Sequence, residues 1–248
     1  MKQSRIPAGH WLRTRPVAHR GLHYGVGAEN SLTAYRHAVE KEYPIEIDVH
    51  LTRDGQIAVF HDDTLDRVCG TPGRVSDFTA AELSKFKLSG TADTIPMLPE
   101  VLETVAGKVP LLIEVKDHKD IGKLEEELAA QLRSYAGEFA IQSFNPLILK
   151  EMSRHAPEFL YGQLACWDYG KTTSRLNAWI LRTLKSRFLF RPDFVSYYIG
   201  ALPNRYVTSK KYTLLCWTVT DENAEKKAKA LGANIIFENF IPAAPAKP

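Results

Sequence analysis

The chain has 248 residues, 44% of them hydrophobic and 25% charged, with a formal net charge of +3. These values suit a soluble globular protein with a sizeable core and exclude a disordered chain, and so small a charge gives no reason to expect a nucleic-acid partner. No apolar run approaches the roughly 20 residues of a membrane span, residues 1–15 hold no signal-like run, and Cys69, Cys166 and Cys216 are too widely spaced for a metal-binding pair; the expectation is a cytoplasmic protein with reduced thiols and no stable membrane insertion.

In chain order, a first strand-like run at Val17-Ala18 leads into His19, Arg20 and Gly21. Asn30 is a good N-cap, and residues 31–42 read as a helix with Leu32, Tyr35, Ala38 and Val39 on one face. Pro44 closes the connection to Ile45-Glu46-Ile47-Asp48-Val49, whose alternation puts both carboxylates on one strand face and the apolar side chains on the other. Most often such a pattern is a solvated strand face. If the acidic face lines a cavity instead, the two carboxylates repel and their pKa values rise unless a cation sits between them, and a hard divalent ion with oxygen ligands meets that need. Asp54-Gly55 between two strand-like runs signals a hairpin, which returns His61 after Ile57-Ala58-Val59-Phe60. His19 and His61 therefore bracket the acidic pair from two strand ends, a setting harder to dismiss as structural than that of a lone histidine.

Residues 64–97 are punctuated by Gly70, Pro72, Gly73 and Gly90 and hold one predicted helix at 79–86. They read as an insertion covering one end of the fold or as an ordinary long surface connection. Beyond them, helices are predicted over 98–106, 121–135, 146–155, 174–190, 204–210 and 222–231, between strands at 109–115, 139–143, 159–165, 193–198, 213–219 and 235–238. With the strands starting at 17 and 45, eight strands alternate with helices, the pattern of a (β/α)8 TIM barrel with a small insertion after the second strand. The organisation expected is a single catalytic barrel domain over 1–248, with the insertion at about 64–97 and a loose tail at about 242–248.

In such barrels chemistry sits at the carboxyl ends of the strands. There the chain offers His19 and Arg20, then Glu46 and Asp48, then Glu114 and Lys116, then Gln142, and later Trp217. Ile113-Glu114-Val115-Lys116 repeats the alternation, and on the barrel Glu114 would complete a three-carboxylate site for one divalent ion, Mg2+ or Ca2+, with Lys116 facing the same anion. Trp217 and Phe144 offer apolar walls or fill the barrel core, the core being the commoner place for a residue like Phe144. His10, His23, His37, His50, His118 and His155 lack such a setting and are expected to be surface or structural residues.

Taken together, His19-Arg20-Gly21, Glu29-Asn30-Ser31, Glu46-Ile47-Asp48-Val49, Thr52-Arg53-Asp54-Gly55, Val59-Phe60-His61-Asp62, Thr64-Leu65-Asp66-Arg67, Ile95-Pro96, Ile113-Glu114-Val115-Lys116, Gln142-Ser143-Phe144 and Trp217-Thr218-Val219 resemble the glycerophosphodiester phosphodiesterase family, in its short-insertion, bacterial cytoplasmic form. The resemblance implies a TIM barrel that hydrolyses small glycerophosphodiesters to sn-glycerol 3-phosphate and an alcohol. By position it implies His19 and His61 as acid and base, Glu46, Asp48 and Glu114 as metal ligands, Arg20 and Lys116 as phosphate-binding cations, and Asn30, Gln142 and Trp217 as metal-shell or substrate contacts. The chain departs from the family pattern at the eighth strand, which ends in Phe237-Glu238-Asn239-Phe240 rather than a Thr-Asp-type turn and so alters the pocket wall there.

Two other readings stand beside this one. A phospholipase-D-like barrel would act on lysophospholipid head groups, and the stretch 178–190, with Trp179, Phe188 and Leu189 among Arg182, Lys185 and Arg187, would then lie on an anionic membrane or else pack as a barrel helix. A non-catalytic barrel that binds a phosphometabolite would be expected to lack one of the histidines or carboxylates, and all are present.

Overall fold

The alternation at Ile45 becomes a strand buried along nearly its whole length, and the site is built outward from it. The computed structural model describes residues 5–118, 120–170 and 173–242, so the expected tail, except for Pro242, lies outside the described residues. Two structural units make up the chain: Ala18–Phe139, and the residues on either side of it.

A short helix, α1 (Trp11–Thr14), precedes β1 (Val17–Ala18), and α2 (Leu32–Glu40) then leads to β2 (Ile45–Leu51). Within the unit Ala18–Phe139, β2 pairs in parallel with β1 through Ala18 and Ile45. On its other side it pairs in parallel with β4 (Leu111–Val115), in a register that sets Asp48 beside Glu114. Ile45, Ile47 and Val49 are fully buried on the apolar face, each contributing about 1.5–3 kcal/mol by leaving water. The hairpin forms as its Asp-Gly turn predicts: β3 (Ile57–Val59) runs antiparallel to β2, and Gly55 turns the chain at φ +79°, a conformation that costs glycine nothing.

Between β3 and α5 (Leu98–Val105) lie α3 (Asp66–Cys69) and α4 (Ala80–Leu83), shorter than the 79–86 helix expected there. This stretch has an apolar cluster of its own, in which Leu65, Val68, Val75, Leu83, Leu88 and Ile95 close over Ala58 and Phe60. It therefore clamps the end of the hairpin strand from which His61 emerges. The unit closes with α6 (Lys123–Arg133).

The second unit carries β5 (Phe139–Ser143) from Ala140 onward, then α7 (Pro146–His155), β6 (Tyr161–Ala165), α8 (Arg175–Arg182), β7 (Phe194–Tyr198), β8 (Thr213–Val219), α9 (Glu222–Ala230) and β9 (Asn234–Phe237). Every neighbouring pair from β5 to β9 is parallel. Two expectations fail here. The helix predicted over 174–190 breaks at Leu184, which turns left-handed at φ +55° and is followed by a 3-10 turn, Lys185–Phe188. Leu184 is buried there, so an apolar anchor overrides helical continuity. The helix predicted over 204–210 does not form, because the Asn204 side-chain oxygen accepts from the backbone N–H groups of Tyr206 and Val207, both at 3.0 Å, giving the backbone a turn in place of helical bonds.

Along the chain, the parallel strands β1, β2 and β4 to β9 alternate with helices except between β7 and β8, where the described residues hold only a 3-10 turn, Ile199–Ala201, and the fold is a (β/α)8 barrel. Among the described residues no helix is long and apolar enough to cross a membrane.

Candidate active site

Glu46, Asp48 and Glu114 each offer a carboxylate oxygen, and the three oxygens lie within 4.8 Å of one another, all on buried residues. Period-2 alternation places Glu46 and Asp48 on one face of β2, and the in-register partner of Asp48 on β4 is Glu114. Burial, reinforced by the neighbouring Asp48 and Glu114, pushes the Glu46 carboxyl well above its ordinary range. Burial acts the same way on Asp48, but Lys116, His61 and Arg20 outweigh it and hold that carboxyl far below its ordinary range. The set thus gathers more negative charge than its surroundings neutralise, and its all-oxygen donors suit a hard divalent cation.

Two cations stand against it. The Lys116 ammonium donates to Glu114 Oε1 at 2.8 Å and to Asp48 Oδ1 at 3.2 Å, contacts that raise its pKa against the opposing effect of burial. Arg20 donates its backbone N–H to Glu46 Oε2 at 3.0 Å, while its guanidinium reaches Glu29 at 2.8 Å and lies 3.6 Å from Asp48. It does so from a left-handed backbone, φ +54°, which the following Gly21 makes feasible: a Cβ there would meet the Ala34 Cβ at 2.8 Å. The half-buried His19 precedes Arg20 directly. Asn30, also left-handed, donates through Nδ2 to Asp48 Oδ2 at 2.9 Å and accepts from the Tyr35 hydroxyl at 2.8 Å.

His61 leaves the hairpin beside this cluster. Its Nδ1 lies 2.6 Å from Asp62 Oδ1; Asp62 in turn accepts from Arg67 Nε at 2.7 Å, and Arg67 forks onto both oxygens of Glu29 at 2.7 and 2.9 Å. A continuous chain of charge-assisted bonds therefore links Arg20, Glu29, Arg67, Asp62 and His61. Burial lowers the His61 pKa, with Lys116 and Arg20 adding to the effect and Asp48 and the Asp62 contact opposing it. The arginine and histidine contacts pull Asp62 down to about 2.

Sequence reasoning assigned no role to Glu29, Tyr35, Asp62 or Arg67. The first and last two stand inside the motifs already quoted, but what they bond to depends on side-chain direction. His50 is buried, with its pKa pushed down to about 4 by desolvation, and donates Nε2–H to the His61 carbonyl at 3.3 Å. His37 likewise bonds the Leu22 carbonyl at 3.1 Å, and His10 caps α1. Gln142 and Trp217 belong to the other unit, where Gln142 accepts from the Ser196 hydroxyl at 2.7 Å and Trp217 packs between Phe144 and Tyr198.

The chain is similar over most of its length to proteins already characterised by name. A glycerophosphodiester phosphodiesterase of Caldanaerobacter subterraneus subsp. tengcongensis is 31% identical over 242 residues, covering 92% of this chain and 95% of that protein. Among solved structures, an Oleispira antarctica phosphodiesterase in complex with the product sn-glycerol-3-phosphate superposes with a TM-score of 0.72 at 26% identity, over 90% of this chain and 92% of that one. The glycerophosphodiester phosphodiesterase of Thermotoga maritima shares the fold, with a TM-score of 0.68 at 24% identity over 90% and 94% of the two chains. The sequence profile of the glycerophosphoryl diester phosphodiesterase family matches residues 19–243, and the chain belongs to that family of phosphoric diester hydrolases.

Proposed function

We propose that the protein hydrolyses glycerophosphodiesters to sn-glycerol 3-phosphate and an alcohol, with one divalent ion, Mg2+ or Ca2+, held by Glu46, Asp48 and Glu114. The observation that carries this reading is the convergence of three buried carboxylate oxygens within 4.8 Å beside a histidine oriented by Asp62. When bound, such an ion neutralises phosphoryl oxygen charge and acidifies a hydroxyl. The donor set fits it: all are oxygens, and Glu46 is the group whose raised pKa the cation would relieve.

The residues of this chain supply the rest. Arg20 and Lys116 are the phosphate-binding cations, the arginine presenting a planar fork to two oxygens and the lysine a point charge. Asn30 orients Asp48 through its amide. His19 and His61 manage two protons: one accepts the proton of the glycerol 2-hydroxyl as its oxygen attacks phosphorus, and the other protonates the departing alkoxide, with the roles reversed when water opens the cyclic ester. Each role is worth about 10² to 10⁴ in rate. Asp62, paired to Nδ1, leaves Nε2 of His61 as the nitrogen that exchanges a proton with substrate.

The test is release of glycerol 3-phosphate from glycerophosphocholine. Activity is expected to vanish with EDTA, to return with Mg2+ or Ca2+, and to fall at least about 100-fold in His19→Ala and in His61→Ala. Turnover that survives both EDTA and the histidine changes would overturn the reading.

A further inference from the structure

Most helices of this chain hold a buried stripe; α8 holds none, since not one of its eight residues, Arg175–Arg182, is buried. The segment that follows is just as open on its outer side. Leu176 is 63% exposed, Trp179 37%, Phe188 83% and Leu189 52%. This is not a frayed loop, because its base is fixed: Thr183, Leu184 and Ser186 are buried, and the Tyr197 hydroxyl donates to the Arg182 carbonyl at 3.0 Å. Large apolar side chains are therefore held out into solvent by a rooted scaffold, an arrangement that marks an interaction surface.

The charge around them selects the partner. Arg175, Arg182, Lys185, Arg187 and Arg191 carry five positive charges, and no Asp or Glu occurs between Asp168 and Asp193. Three of these cations lie over aromatic faces: Lys185 Nζ sits 3.9 Å from the Trp179 ring centroid, and the guanidinium carbons of Arg182 and Arg187 sit 5.0 and 5.7 Å from Trp167 and Phe188. Aromatic and aliphatic tips with cations at their shoulders match the boundary between acyl chains and anionic headgroups. A second copy of the chain joined through the same patch in a two-fold contact would bring like charges together with no acidic residue in the segment to offset them.

We infer that α8 and the turn Lys185–Phe188 form a docking surface for the anionic face of a lipid bilayer, peripheral rather than spanning. Phe188, Leu189, Trp179 and Leu176 enter the headgroup region while Lys185, Arg187 and their neighbours bind lipid phosphates. The inference stands apart from the hydrolytic reading, since none of these residues is placed in the chemistry.

The experiment is sedimentation of the full chain with vesicles of phosphatidylcholine alone, or of phosphatidylcholine with about one third phosphatidylglycerol. At low salt the protein should pellet with the anionic vesicles and stay in solution with the neutral ones, and it should be released near 1 M salt, where the screening length falls to about 3 Å. Lys185→Ala with Arg187→Ala should lower partitioning about 25-fold, from roughly fivefold per cation. Phe188→Ala with Leu189→Ala should weaken it separately, and both pairs should keep the wild-type circular dichroism and melting temperature, a readout of folding independent of any activity. Equal binding to both vesicle types, no binding at low salt, or variants that pellet like the wild type would overturn the inference. So would a concentration-dependent dimer dissociated by Phe188→Ala, which would assign the patch to a second copy.

Discussion

At the scale of single residues, the pair that decides most is Asp62 with His61. A neutral imidazole has two tautomers, and only the one with its proton on Nδ1, shared with Asp62 at 2.6 Å, leaves Nε2 as a base. Arg67 and Glu29 keep Asp62 charged and in place. Asp62→Asn preserves shape but lets the ring choose the other tautomer, so kcat for glycerophosphocholine is expected to fall by at least about tenfold with little change in KM, as expected when an interaction made only in the transition state is lost. An equal loss appearing in KM alone would assign Asp62 to substrate binding. The position of His61 beside the acidic pair was legible in the sequence because the hairpin returns it to that strand end. Its orienting partner was not, because Asp62, Asp63 and Asp66 read alike until the rotamers show which one reaches the ring.

At the scale of elements, the start of α6 shows how a local charge pair shapes stability. Glu125, with its side chain fully buried, accepts from the Gly122 N–H at 2.6 Å at the head of the helix and lies 3.2 Å from His118 Nε2. Burial opposes both charges, but the ion pair between them, with the Lys116 carbonyl on His118 and the Gly122 N–H on Glu125, wins, raising the His118 pKa above 6.5 and lowering that of Glu125 below 4.5. A raised histidine gives its full stabilisation below about 6.5 and loses it as pH rises through the folded value; a lowered carboxylate gives its own above about 4.5 and loses it as pH falls. The pair therefore contributes most between the two. His118→Ala is expected to lower the melting temperature by about 2–4 °C near pH 6, and this difference should shrink by about pH 9; a pH-independent difference would mean that only packing was lost. Elements such as β2 and its hairpin were readable because alternation and an Asp-Gly turn act locally. The break at Leu184 and the Asn204 turn were not, since a buried leucine and a side-chain oxygen outbid good helical sequence through contacts that periodicity does not report.

At the scale of the whole molecule, the eightfold alternation of strand and helix made the barrel legible, and the barrel in turn named the strand ends at which to look for acids. What it left unread is the sign of the site's effect on stability. A carboxyl whose folded pKa is raised, as for Glu46, favours the fold while protonated and opposes it once pH climbs past the unfolded value of 4.5. Near pH 7, then, the protein stripped of cations carries an acidic cluster that works against the register of β2 with β4, and a divalent ion held by Glu46, Asp48 and Glu114, as proposed, would offset that charge. Saturation at about 100 times Kd adds about 2.7 kcal/mol, which for a chain of this size is a rise of roughly 5–10 °C in melting temperature. Adding Mg2+ or Ca2+ to EDTA-treated protein should produce that shift. Glu46→Gln should melt higher than the wild type without metal, because a buried like charge is gone, and should gain far less when metal is added. If the glutamine variant melted lower in EDTA yet rose with the ion as the wild type does, Glu46 would be a stabilising residue and not a ligand, and the cation would have to be held elsewhere.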